Sequence, residues 1–387
     1  FLGRLGCPQG GTTVPSVDAF GKLFDQNTSL VGRNAISFPV GGPFELGSQG
    51  GLNTILIAAV RSCDRQHNLR LSGTWIFSCL EHNLMALLTP TTTLPFKINR
   101  TYVITIVVMH LLALIALHPY FFSWVGVITM VVGVHVFGQG ITIGYHRLLT
   151  HRSFKTEPWV EHAFAILGIC CMEDSPARWV AVHRIHHVHS DNRPDPHTPL
   201  VNFFWSHMGW LMVQNKETHS LSAIEKFAKD LLRDPFYMRL EKRPVLQLLI
   251  ALSQLPIFFV LGFALGWAFW GLSSATQLGM SMVVWGFYVR VIAVWHITWS
   301  VNSLSHMFGY QNYKTDEHSR NNWLVALLTV GEGWHNNHHE DPSTACLQHR
   351  WWELDISYYE IKLLERLGLA SEIVPPRYLR HTTSKAA

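Results

Sequence analysis

The residues of this chain with the clearest chemical potential are its histidines. There are 23 among 387 residues, and from His146 onward they bunch into clusters. The first is His146-Arg-Leu-Leu-Thr-His151 and the second His183-Arg-Ile-His186-His187. The third is Asn302-Ser-Leu-Ser-His306, and the last is His335-Asn-Asn-His338-His339. On a helix, residues i, i+3 and i+4 share one face. The H-x-x-H-H pattern therefore presents three imidazoles together, and it occurs twice. One chance occurrence has odds of about one in ten at this histidine frequency, and two make chance a poor explanation. Asn302 and His306 are also four apart. His146 and His151 are five apart, a spacing that needs a helix end or a kink to converge.

Such a set points to metal. Nine imidazoles and one carboxamide exceed what one ion takes, which is about four to six ligands with a position left open for catalysis. Two ions fit the count. Imidazole suits Zn, Cu, Fe and Ni, so ligand type does not choose the metal. Carboxylates are sparse in the clusters, which separates them from helix bundles built on Glu-x-x-His. A neutral shell leaves the ions' charge uncompensated unless oxygen, water or hydroxide binds. His189, His197 and His207 lie near the second cluster and are candidates to orient ligands. His110, His135, His162, His219, His349 and His381 lie outside the clusters and read as structural or solvated.

The elements that must position these clusters are apolar. The chain is 48% hydrophobic and 14% charged, against about 25% charged in soluble domains. That deficit indicates a membrane protein. The net charge of +4 is too small for a nucleic-acid binder, and no basic stripe occurs. Four apolar runs, Tyr102–Leu117, Phe121–Gly144, Leu246–Trp270 and Leu278–Trp299, are each near the length needed to span a bilayer. Short connections at 118–121 and 271–277 predict two hairpins. Those tips carry no Lys or Arg, whereas Lys97, Arg100, Arg147, Arg152, Lys155, Lys242 and Arg243 fall on the other side. By the positive-inside rule that side is cytoplasmic, together with both termini and every histidine cluster. The fold expected is an all-α integral membrane protein, four helices in two hairpins under a cytosolic helical cap. Arg290, inside the fourth run, either snorkels or lines a cavity.

The opening 84 residues show no clear period and read as a poorly structured, non-native extension. The expected start is near Met85, which N-terminal sequencing of natively expressed protein checks. Residues 85–373 form the expected membrane domain and 374–387 a flexible tail. Six cysteines without C-x-x-C spacing read as free thiols of a reducing compartment.

From about Pro95 to Ile373 the chain resembles the membrane fatty-acyl desaturases, the stearoyl-CoA type and its bacterial relatives. The resemblance is carried by Gly144-Tyr-His-Arg-Leu-Leu-Thr-His-Arg-Ser-Phe154, Trp179-Val-Ala-Val-His-Arg-Ile-His-His187, Asp195-Pro-His197 and Phe204-Trp-Ser-His-Met-Gly-Trp210. It continues in Thr298-Trp-Ser-Val-Asn-Ser-Leu-Ser-His306 and Gly331-Glu-Gly-Trp-His-Asn-Asn-His-His339. It implies a di-iron centre held by His146, His151, His183, His186, His187, His306, His335, His338 and His339, with Asn302 reaching one metal through water. It also implies that Trp179, Thr298 and Trp299 line the bend of an acyl tunnel ending near Val134 and Gly138. One departure stands out: relatives usually carry Gln where this chain has Glu173, which puts contacts at the bend in doubt.

The resemblance implies O2-dependent insertion of a cis double bond, with carbon nine favoured, into an acyl-CoA or a lipid-linked acyl chain. Arg350-Trp-Trp-Glu-Leu-Asp355 is similar to bacterial and plant-type members, which makes a lipid-bound chain a fair option. No His-Pro-Gly-Gly segment of a fused cytochrome occurs, so the electron donor expected is a separate ferredoxin or b-type cytochrome. The residues leave other classes open. A di-iron membrane hydroxylase would use the same ligands and yield an alcohol. A zinc-dependent hydrolase would need a general base, for which Glu332 is the acidic residue nearest a cluster. A metal transporter would place ligands at mid-membrane.

Overall fold

The computed structural model describes residues 89–192 and 195–383. The expectations for the 1–84 extension, the start at Met85, and Cys7, Cys63 and Cys79 fall outside the described residues. Cys170, Cys171 and Cys346 are free and buried.

Four helices are long and apolar enough to cross a membrane: Arg100–Leu117, Trp124–Thr150, Pro244–Trp270 and Leu272–Met307. They correspond to the four apolar runs, lengthened at their polar ends. The fourth has 36 residues, or about 54 Å of helix, against a hydrocarbon core of about 30 Å. It must overshoot, and the overshoot carries Asn302 and His306. The second span likewise runs past the apolar run to Thr150, carrying His146. The 271–277 connection is shorter than the sequence suggests. Helix resumes at Leu272, and Gly271 alone makes the turn at φ +83°, a conformation that costs glycine little. Gln277 is then free to bond the carbonyls of Tyr120 and Phe122 in the other connection, at 2.7 and 3.1 Å.

The third and fourth spans pack along each other through glycine. A Cβ on Gly262 would lie 2.7 Å from the Leu278 carbonyl, and one on Gly266 2.7 Å from Ala275. Small residues allow this backbone approach where lipid offers no hydrophobic drive. The first and second spans lie mainly against the fourth: Ile106 and Met109 pack with Phe287, Val291 and Trp295. Arg290 neither snorkels nor lines a cavity. It is fully buried, donates to the carbonyls of Gly286 and Cys170 and to Gln254, and lies over the Phe137 ring. An otherwise apolar seam satisfies all of these donors internally, as burial requires.

Over one end of the spans sits a cap of short helices. Those that matter to the site are α1 (Pro158–Ile169), α2 (Pro176–His189), α3 (Phe203–His207), α4 (Trp323–Leu328), α5 (His335–Glu340) and α6 (Ile356–Arg366). Among the described residues the elements are helices apart from one two-stranded antiparallel pairing of Lys155–Thr156 with Ala370–Ser371 and isolated bridges such as Ile98 with Val213, a small addition to the all-α expectation. The core under the cap joins Tyr145 and Leu149 of the second span to Ile169, Val180, Ile224 and Leu231. Large side chains buried like these contribute about 1.5–3 kcal/mol each. The segment expected to be a flexible tail carries a helix over Arg377–Thr383, and Val374 donates to Ser153.

Candidate metal centre

The second span changes character as it leaves the apolar zone. From Gly140 to Thr150 it is a π-helix, in which bonds run from residue i to i+5. The His151 N–H accordingly donates to the His146 carbonyl at 3.1 Å. This is the convergence that a five-residue spacing required: the two rings lie 4.8 Å apart. Gly140 and Gly144 let α1 press on this segment, since a Cβ at either would collide with residues 164–168.

The other ligand candidates arrive on α2, on the end of the fourth span and on α5. Their imidazoles form two groups, one of His146, His151, His183, His187 and His338, the other of His186, His306, His335 and His339. Each H-x-x-H-H is divided. The i, i+4 pairs His183/His187 and His335/His339 stay together, while the third ring of each crosses to the other group. The two helices thus clasp the groups reciprocally.

Within the groups the Nε2 atoms face one another. His338 lies 3.1 Å from His146 and 2.9 Å from His187, which is 3.0 Å from His183. His335 lies 3.0 Å from His306 and 3.1 Å from His339, which is 3.3 Å from His186. Three of the other ring nitrogens face carboxylates closely. His146 Nδ1 is 2.6 Å from Glu332, His186 Nδ1 2.9 Å from Asp195, and His306 Nδ1 3.3 Å from Asp191. Glu317 approaches His339 at 3.8 Å. A carboxylate at Nδ1 holds the proton there and leaves the lone pair on Nε2. Lone pairs facing one another at 3 Å repel unless a cation lies between them. Two nitrogens bound at about 2.1 Å to one ion are separated by about 3.0–3.4 Å, the spacing found. His151 Nε2 is buried without a protein partner, another lone pair aimed at the first group. The residues therefore fit two metal ions. Burial first, then mutual repulsion, holds His183, His187, His335, His338 and His339 well below the usual imidazole range. Rings kept neutral are the ligand form.

Of the carboxylates at the site, Glu332 is near a cluster in sequence and Asp195 stands in the Asp195-Pro-His197 motif, but the sequence does not pair Asp191, Asp195 or Glu317 with any ligand ring. They come from outside the His patterns or between them, and they offset the charge that a neutral ligand shell leaves. Glu332 is no candidate for a free general base: it is occupied by His146 and by Arg147, whose Nη2 donates at 2.9 Å. Asp195→Ala is expected to lower metal affinity about 10–100-fold by freeing the His186 ring. Metal retained after dialysis against a chelator measures this, and retention equal to wild type would refute the orienting role.

The three flanking histidines divide. His197 packs on His186 at 4.4 Å beside Asp195. His189 is half-buried at the end of α2, and no hydrogen bond joins it to a ligand ring among the described residues. His207 is joined to neither ligand group by these bonds: it bonds His296 at 3.0 Å and Ser303 at 3.0 Å. His296 in turn bonds His110 at 3.1 Å, so this chain of rings fastens α3 and the first span to the fourth.

Two cavities meet at the histidines. One, of about 760 Å³, descends from Asn99, Asn215 and Lys216 to Glu173, Trp299 and Trp210. The other, of about 130 Å³, continues along Val134, Gly138 and Val294. Trp179, His183, Thr298 and Asn302 line both. A side chain at Gly138 would point into open space. At the junction Glu173 accepts from Thr298 Oγ1 at 2.8 Å and from Trp179 Nε1 at 3.3 Å, while Trp179 stacks on His183.

Burial pushes Glu173 up to about 8, although both hydrogen bonds pull the other way. A carboxyl raised on folding binds its proton more tightly in the folded state. Stability is therefore lost as pH rises from about 4.5 through 8. At 1.36 kcal/mol per unit, wild type should lose about 2–3 kcal/mol against Glu173→Gln between pH 6 and pH 9. Thermal unfolding of both proteins at the two pH values measures this, and a constant gap would contradict it.

The model of the family described as fatty acid desaturase matches residues 121–367. The chain is 42% identical over 270 residues to the sn-1 stearoyl-lipid 9-desaturase of Synechocystis sp., covering 69% of this chain and 78% of that one. It is 39% identical over 279 residues to the sn-2 palmitoyl-lipid 9-desaturase of Nostoc sp., covering 71% and 90%. It is 38% identical over 270 residues to the chloroplastic palmitoyl-monogalactosyldiacylglycerol delta-7 desaturase of Arabidopsis thaliana, covering 69% and 67%. With four membrane-length helices and paired histidine groups where the spans emerge, the chain belongs to the fatty acid desaturase family and is a membrane oxidoreductase.

Proposed function

We propose that the protein desaturates a lipid-linked saturated acyl chain at carbon nine, using two iron ions, O2 and electrons from a separate ferredoxin or b-type cytochrome. The observation that carries this reading is the junction of the two cavities at the paired histidines. It exposes the middle of a threaded chain, rather than its end, to the ligand groups. The relatives named as 9-desaturases support carbon nine. His146, His151, His183, His187 and His338 would hold one ion, and His186, His306, His335 and His339 the other, with Asn302 reaching it through water.

When bound, the iron pair supplies O2 activation and removal of two neighbouring hydrogens. The protein's part is position and exclusion. The reacting methylenes have no polar handle, so selection must come from depth in the channel, a positioning effect. Trp179 and Thr298 form the bend, and Glu173 fixes both by accepting their hydrogens. The apolar wall beyond, from Val134 and Gly138 to Val294, receives the methyl end and keeps water out.

The mouth supports a lipid over a CoA thioester. Arg178 is bound to Glu241 at 2.8 Å, and Lys216 is the other cation lining it among the described residues. Asn99, Asn215 and Gln247 suit an uncharged hydroxylated head group better than several phosphates. The four spans support a multi-pass arrangement, and the absence of Lys and Arg at 118–121 and 271–277 supports two hairpins with the histidines and both termini facing the cytoplasm.

The test is expression in a desaturase-deficient host, followed by fatty-acid profiling with double-bond location. A new cis alkene at carbon nine on membrane lipids is expected. A hydroxylated product from the same lipid would overturn the reaction type, and a double bond elsewhere would overturn the position.

A further inference from the structure

The larger cavity is walled in part by two membrane-length helices. The first span contributes Thr101, Thr105 and Ile106, and the third contributes Pro244, Leu248 and Ala251. On the third span these positions are four and three apart, one stripe of a helix. From Pro244 to Ala251 the stripe runs about 10 Å. Both linings begin beside cations. Arg100 precedes Thr101, and Lys242 and Arg243 precede Pro244. All three cations are exposed, and none forms an ion pair among the described residues. Exposed cations at the end of a span mark the head-group level. The cavity wall therefore descends from that level into the hydrocarbon zone.

The first and third spans are not fastened to each other. Among the described residues no hydrogen bond or ion pair joins them. Each is held elsewhere: Tyr102 donates to Asp174, and His110 bonds His296 of the fourth span at 3.1 Å. Gln254 of the third span donates to the Cys170 carbonyl at 3.1 Å and accepts from Arg290. Thr101, Pro244 and Leu248 are exposed although they line the cavity, Leu248 by 48%. At this depth the medium outside a span is lipid tail, not water.

We propose that the channel opens sideways into the bilayer between the first and third spans, and that a lipid-linked acyl chain enters through this gap with its head group held at the membrane surface. Passage through water would cost about 0.8 kcal/mol for each methylene exposed. Sideways passage exposes none, because the chain leaves one apolar setting for another. Asn99 and Gln247 line the upper end of the gap, where the ester-linked backbone of the lipid stops.

This route presupposes the lipid-linked desaturase reading, and its test keeps the two apart. Thr101 and Leu248 of the full chain are replaced together by cysteine and bridged in membranes with a flexible, reducible bis-thiol reagent, the bridge being confirmed by mass. Wild type treated alike controls for the native cysteines. Bridging should abolish desaturation of membrane lipid, and reducing the bridge should restore it, which a folding defect would not do. Leu248→Trp should lower kcat/KM for lipid by about tenfold, within the range that association rates span among variants of one complex, with bound metal unchanged. Ile104→Trp and Leu249→Trp, at exposed neighbours outside the cavity lining, should match wild type. A bridged protein that keeps the wild-type rate, or control variants that fall as far as Leu248→Trp, would show that the chain enters elsewhere. If wild type desaturates a water-soluble acyl thioester and no membrane lipid, the sideways route falls while the reaction stands. If wild type makes no alkene from either, the desaturase reading itself is overturned.

Discussion

Replacing His338 by alanine is expected to abolish desaturation and to strip the protein of roughly half its iron or more. His338 is the ring that α5 contributes across to the first group, where its Nε2 meets His146 and His187 within about 3 Å. Its removal opens a gap among five ligands and leaves neighbouring lone pairs turned toward an emptied position. The loss of rate should exceed about 1,000-fold, because the reaction has no route that avoids the metal. His183→Ala, in the same group, should behave alike. Both effects are read on purified protein by metal analysis and product yield, with circular dichroism as the control for folding. Wild-type iron and activity in either variant would refute the ligand assignment.

The second large effect falls on stability. Arg147 is fully buried and serves two carboxylates at once. Its Nε and Nη2 donate to Glu332 at 3.1 and 2.9 Å, and its Nη1 donates to Asp355 and to the Ala345 carbonyl at 3.0 and 2.8 Å. Arg147→Leu would leave two buried carboxylates facing each other with no cation. Breaking a buried pair in this way costs about 3–5 kcal/mol, a large fraction of a typical folding free energy. The variant should unfold at markedly lower temperature in detergent, and because Glu332 also holds His146, it should retain less iron. Arg147→Lys should recover part of the loss, since one ammonium cannot form the fork that reaches both acids. An unchanged unfolding temperature in Arg147→Leu would show that the network contributes little.

These two cases mark what was readable along the chain. Apolar length determined the four membrane-length helices, because burial of backbone polar groups in hydrocarbon leaves helix as the available form. The repeated H-x-x-H-H determined that two helices would carry clustered imidazoles, because i, i+3 and i+4 share a face whatever the helix packs against. Glu173 was visible as a departure, and the structure gives it a part as acceptor for Thr298 and Trp179. The sequence offers Gly271 only as one residue of a seven-residue connection, since nothing local distinguishes a one-residue reversal from a longer loop.

What tertiary structure decided was membership and charge. Local pattern placed three imidazoles together on each of α2 and α5; only the facing of the two helices sent His186 and His338 across to the opposite groups. The five-residue gap between His146 and His151 was resolved by a π-helix that forms where α1 presses on Gly140 and Gly144, a contact between segments 20–28 residues apart. Asp191 stands beside His306, 115 residues away, and Glu317 approaches His339, while Asp195 reaches His186 from beyond the end of α2, so no periodicity could assign them. His207 lay near the second cluster in sequence, yet it faces the fourth span. Helical periodicity is a property of one segment and survives any packing. The closing of a metal shell depends on which faces meet, and that is settled only when the spans and the cap fold together.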